Sequence, residues 1–168
     1  MHHDQIHRLI QDLEATEVEL QETHISWILL VGPYAYKIKK PVRYTFLDFT
    51  SLAQRRYFCL REVELNRRLT SDIYLGVVEI RQSETAIHLD SRNGTLIDYA
   101  VKMKRLDGNR QMHLLLQEGA VTGRHMEQIA DQLSTFHQHA DLMPMPPNVP
   151  EMVKDFKFGN SFILKKLS

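Results

Sequence analysis

The chain has 168 residues with 21 basic and 21 acidic side chains, so its formal net charge is zero. That balance excludes a non-specific binder of nucleic acid or of anionic membrane, each of which needs a basic excess, and the single cysteine, Cys59, excludes an intramolecular disulfide and a Cys-rich zinc site. The longest apolar run, Trp27 to Val31, is far too short to span a bilayer, and the polar, partly acidic start MHHDQIHRLIQDLE is unlike a signal peptide. These features suit a cytoplasmic protein of one domain, or one lobe with an appendage.

In chain order, Ile6, Leu9, Ile10 and Leu13 fall at i, i+3, i+4 and i+7 and predict an amphipathic helix over Asp4 to Ala15. Val18 and Leu20 alternate with polar neighbours, His24 to Val31 is rich in β-branched and aromatic residues, and Tyr34 to Lys39 follows the Gly32-Pro33 punctuation. Three strands in tight succession predict an antiparallel meander. After a loop, Ser51 and Gln54 have capping-box spacing and open a long helix to about Leu69. Leu75 to Arg81 and Thr85 to Asp90 read as strands, and Asn93-Gly94 predicts a hairpin joining the second of these to Thr95–Lys104. Leu106 to Asn109 reads as a turn or hinge. A short helix from Gln111 to Glu118 stops at Gly119, and Thr122 caps a last helix with Met126, Ile129, Ala130, Leu133, Phe136 and His137 on one face. The Pro-rich run Met143 to Pro150 excludes regular structure, and Glu151 to Ser168 lacks periodicity.

Two residues carry the chemical argument. On a wheel of about 100° per residue, the long helix gathers Phe58, Leu65 and Leu69 on one side. Glu62 projects toward that side, with Cys59, Leu52 and Val63 further round, whereas Glu64 points away with Tyr57, Arg61 and Arg68. A buried carboxylate requires a cationic partner or a polar cleft; the bland reading is that Glu62 bends out to solvent. Strand alternation puts Ala35 and Lys37 on one face and Tyr34, Tyr36 and Ile38 on the other. A small residue two before a lysine leaves room for a flat ring beside an ammonium, which is the physical content of the kinase Val-Ala-Ile-Lys pattern. There the lysine neutralises nucleotide phosphates and a glutamate from the next helix holds it. The bland reading here is that Lys37, Lys39 and Lys40 form a solvated strand end.

Several segments together resemble one family: Glu22 to Trp27, Tyr34 to Val42, Phe46 to Leu52, Arg55 to Cys59, Leu65 to Leu69, Ile97 to Leu106 and the helix ending Phe136-His137. The family is the aminoglycoside-phosphotransferase-like kinase domain found at the start of many bacterial two-part proteins that carry a P-loop ATPase after it, and the resemblance covers roughly residues 16 to 140. It implies an α+β fold, a protein kinase-like N-lobe in which a twisted antiparallel sheet of about five strands packs on one long helix. The lobe would occupy 1–105, a hinge and the first helices of an incomplete C-lobe 106–142, and a linker and tail 143–168. It further implies an ATP-binding site with Mg2+. Lys37 would contact the phosphates and Glu62 would hold Lys37. Ala35 would lie beside the base, and the Thr23–Ser26 loop, ending in Ser26, would cover the phosphates. Met103, Lys104 and Arg105 would form the adenine-contacting hinge. The loop departs from the pattern in having no glycine.

The resemblance also requires a proton-accepting aspartate and metal-holding Asn and Asp. His139-Ala140-Asp141-Leu142 echoes the catalytic loop, but the position five residues after Asp141 is Pro146 where Asn is required, and Asp155-Phe156-Lys157-Phe158-Gly159 only echoes the metal-binding unit. The expectation is an ATP-binding lobe of a small-molecule kinase that does not itself complete transfer to a hydroxylated acceptor, with nucleotide affinity weak or lost. The rivals are a non-catalytic regulatory module that associates through an incomplete core, and a minimal kinase using Asp141. No Gly-x-x-x-x-Gly-Lys-Ser/Thr loop is present. His2, His3, His7, His137 and His139 read as solvated helix histidines, Cys59 as a packing residue, and Asp98 and Asp107 as residues flanking the hinge.

Overall fold

The structure, a computed structural model, describes residues 1–140 apart from Glu14, Thr16 and Ser71. The Pro-rich run, the tail and Asp141 lie outside the described residues. The chain divides into two compact units, Met1–Gln132 and Leu133–Ser168, and the site below lies wholly in the first.

The fold is α+β. Helix α1 (His3–Asp12) is followed by strands β1 (Val18–Glu22), β2 (Ser26–Val31) and β3 (Tyr34–Lys39). A small hairpin of β4 (Arg43–Tyr44) and β5 (Leu47–Asp48) precedes helix α2 (Leu52–Arg67). Then come β6 (Tyr74–Gln82), β7 (Ile87–Leu89) and β8 (Thr95–Lys104), a 3-10 turn at Gly108–Arg110, α3 (Met112–Gln117) and α4 (Gly123–Gln138). Six strands form one antiparallel sheet in the order β1-β2-β3-β8-β6-β7. The predicted meander is present, and β8 lies between β3 and β6.

The sheet buries both faces. On one, Leu29, Ile38, Ile80, Ile87 and Ala100 form a core with Ile6 and Leu9 of α1. Each fully buried Leu or Ile there contributes about 1.5–3 kcal/mol, which keeps so short a helix in place. On the other, Cys59 and Val63 of α2 pack on Val101, with Tyr74, Val77, Tyr99 and Met103 around them. Ser51 starts α2 as its spacing predicts, its Oγ accepting from the Gln54 amide at 3.1 Å.

Three expectations are corrected. The Asn93-Gly94 turn does not join a β7–β8 hairpin: β7 pairs with β6, and β6 separates it from β8. Gly94 is needed for another reason. Its φ is +88°, and a Cβ there would stand 2.4 Å from the Gln82 carbonyl oxygen. Second, the segment after β3 is not merely a loop, for β4 and β5 pair and their turn stacks Tyr44 on Phe46, leaving Phe46 83% exposed. Third, the buried side of α2 runs through Arg55, Cys59 and Val63, while Leu65 is 44% exposed. Local hydrophobicity mislocated the stripe because an arginine and a cysteine occupy it.

Candidate functional site

Alternation along β3 turns Ala35, Lys37 and Lys39 to the α2 face of the sheet. Register places Ala35 between Leu30 of β2 and Met103 of β8, and Lys37 between Ile28 and Val101. From α2, Glu62 reaches this face. Its Oε1 accepts from Lys37 Nζ at 2.8 Å and its Oε2 from Lys39 Nζ at 2.6 Å. The expected Lys37–Glu62 pair is therefore formed, and a second lysine shares the carboxylate. Lys39 follows Lys37 by two residues, and this i+2 spacing puts both ammonium groups on the face that Glu62 reaches.

Burial opposes charge on Glu62, but the hydrogen bonds and charges of Lys37 and Lys39 outweigh it and hold the carboxyl below its ordinary range. The neighbours respond. Burial, reinforced by the Glu62 charge, raises Tyr74. Burial pushes the Cys59 thiol up to about 12, so Cys59 packs and is no nucleophile at neutral pH.

An open groove of ≈ 860 Å³ is lined by Leu30, Ala35, Asn66, Tyr74, Met103 and Leu106, with the Lys104–Gly108 segment also along it; Lys37 and Glu62 are not among its lining residues, but Ala35 lies two residues before Lys37 and Asn66 one helical turn after Glu62. Its lining combines apolar strand residues with the polar Glu19 and Gln21 of β1 and residues of the segment after β8. Asn66 Nδ2 donates to the Glu62 carbonyl at 2.8 Å, tying the groove wall to the turn that carries the carboxylate.

The remaining candidates separate. Ala35, Met103, Lys104 and Arg105 line the groove. The Lys104 amide already donates to Ile73 O at 2.9 Å and the Arg105 amide to Pro33 O at 2.8 Å, while their side chains pair with Asp72 and Glu19. Ser26 is fully buried. Its amide donates to Thr23 Oγ1 at 3.0 Å and its carbonyl accepts from the Thr23 amide at 2.9 Å, so Thr23 closes the β1–β2 loop with no need of glycine. The Ser26 hydroxyl is buried without a hydrogen-bond partner among the described residues.

Asp98 precedes the segment after β8 by several residues. It is fully buried within β8, and its carboxylate accepts from Arg55 Nε at 2.8 Å, from the Tyr99 amide at 2.9 Å and from the Met1 amino group. Arg55 also donates to the Phe49 and Thr50 carbonyls. Asp107 does serve a turn, its Oδ1 accepting from the Asn109 amide at 2.9 Å. His3 and His7 are exposed and hydrogen-bond to each other at 3.3 Å, and exposed His139 hydrogen-bonds to Thr135 O. Among the described residues no group of three or more His, Cys, Asp or Glu comes together as a metal site, and no helix is long and apolar enough to cross a membrane.

No family model and no solved structure matches the chain. It is similar to uncharacterized proteins of Mycobacterium bovis and Mycobacterium tuberculosis, each 33% identical over 123 residues, which is 73% of this chain and 23% of the relative. The chain thus spans about a quarter of the length of these relatives.

Proposed function

We propose that the first unit is the ATP-binding lobe of a protein kinase-like fold of the aminoglycoside-phosphotransferase type, serving phosphoryl transfer to a small hydroxylated acceptor. The observation that carries this is the 2.8 Å contact between Lys37 on β3 and Glu62 on α2, near a groove whose lining includes Ala35 and Met103. A strand lysine steadied by a glutamate from the following helix is the arrangement that presents an ammonium to nucleotide phosphates. The strand order supports the same reading, because β8 beside β3 delivers the Lys104–Gly108 segment to the groove.

In this reading a purine lies flat between Leu30 and Ala35 on one side and the segment after β8 on the other. Lys37 Nζ donates to the phosphates. The amides of Lys104 and Arg105 being engaged, the base is read from the backbone at and beyond Leu106. The proposal is for binding; the transfer step is assigned to none of the described residues. ATP with Mg2+ should bind better than adenosine, and Lys37→Ala should weaken ATP by about tenfold or more, the worth of a charge-assisted hydrogen bond, with adenosine unchanged. Calorimetric titration decides. Equal binding of ATP by the two proteins sinks the proposal and leaves the sheet as a scaffold.

A further inference from the structure

Glu62 is one carboxylate with two ammonium partners, and the partners are not equivalent. The Lys37 side chain is 28% exposed, that of Lys39 only 6%. Lys39 Nζ also stands 4.9 Å from the centroid of the buried Phe49 ring, a cation–π contact strengthened by exclusion of water. An ammonium so enclosed has no route to a ligand, whereas Lys37 lies at the wet end of the pair. A buried carboxylate that loses its sole partner is left uncompensated at heavy cost, so a lysine that is the only partner of its glutamate is not readily released to a ligand. Here that constraint is relaxed, because Oε2 stays bonded if Oε1 lets go.

We propose that Lys39 is the positioning residue of this site. It holds Glu62 permanently, so Lys37 moves between Glu62 and a ligand phosphate without leaving the carboxylate unpaired. The assignment of phosphate as the ligand rests on the nucleotide reading above; the anchoring of Glu62 by Lys39 does not. The titratable groups facing Glu62 are Lys37 and Lys39 from β3, Cys59 from α2 and Tyr74 from β6. Neither Cys59 nor Tyr74 ionises in the acid range where Glu62 does.

The test begins without nucleotide. Carbon-detected NMR titration of the Glu62 carboxyl should show its midpoint rising by about one unit or more in Lys39→Met, less in Lys37→Met, and staying low in Lys39→Arg, which keeps the charge. An equal or larger rise in Lys37→Met overturns the proposal. Should Lys39→Met fail to fold, the unsubstituted protein still decides. Its Lys39 ammonium protons should exchange with water at least about tenfold more slowly than those of Lys37, as a bonded and enclosed donor requires, and equal exchange overturns the proposal. A second arm adds Mg-ATP. The Lys37 side-chain resonance should shift while that of Lys39 holds, and Lys39→Met should lose about tenfold in ATP affinity but none for adenosine. If Lys37→Ala weakens ATP and Lys39→Met does not, the anchor fails and the nucleotide reading stands. If ATP binds no better than adenosine, the nucleotide reading fails, and the apo titration judges the anchor alone.

Discussion

The two ends of α2 hold buried carboxylates in different ways. Near its start, Arg55 locks onto Asp98, which is fully buried and bonded on both oxygens, while its Nη1 donates to the Phe49 and Thr50 carbonyls. Two turns later, Glu62 keeps a 13% exposed side chain and two lysine donors beside an open groove. The first arrangement leaves no exchangeable contact and fixes the helix to the sheet. The second leaves one donor, Lys37, with a side chain 28% exposed. A single helix thereby pairs a fully enclosed carboxylate near its start with a partly exposed ion pair further along.

The most damaging way to break that contrast is Arg55→Met, which leaves buried Asp98 with the Met1 amino group as its remaining charged partner and should cost about 3 kcal/mol in urea unfolding. A loss below about 1 kcal/mol would place this pair with ordinary surface ion pairs. Gly94→Ala comes next. It forces a side chain into a left-handed turn against the Gln82 carbonyl, just before the strand that carries Asp98, and should cost about 1–3 kcal/mol. Ser51→Ala removes the cap at the locked end and should cost about 1 kcal/mol.

The smallest effect sharpens the open end. The Glu62 carboxyl is depressed in the folded protein, so its contribution is complete above the ordinary carboxylate pKa of about 4.3 and is lost as pH falls through its lower folded value. The difference in thermal midpoint between the unsubstituted protein and Glu62→Gln should therefore shrink on acidification below about pH 4. A difference that stays constant into acid would show that the carboxylate charge contributes nothing there.

Much of this was legible beforehand for a physical reason that differs from element to element. The Ser51 cap and the periodicity of Ile6 and Leu9 are written within a few neighbouring residues. The Lys37–Glu62 pair was legible because strand alternation and helix phase each aim one group at a shared interface. Lys39 was hidden because a lysine at a strand end ordinarily reaches water, and only Phe49 and Glu62 closing over it make it buried. Arg55 and Asp98 were hidden because each reads as a surface residue until the other is found 43 positions away. The Asn93-Gly94 signal marked a real turn but misled about pairing, since a turn constrains its own backbone and not which strand lies alongside.

By itself the sequence determined the helices and the first three strands and offered the Lys37–Glu62 pair as one of two readings, because hydrogen-bond periodicity, capping and side-chain alternation act over a few residues. Tertiary structure decided the insertion of β8 between β3 and β6, the enclosure of Asp98 and the division of Glu62 between an exposed and a buried lysine. Each of these depends on which distant groups exclude water from one another, and desolvation has no local signature in the chain.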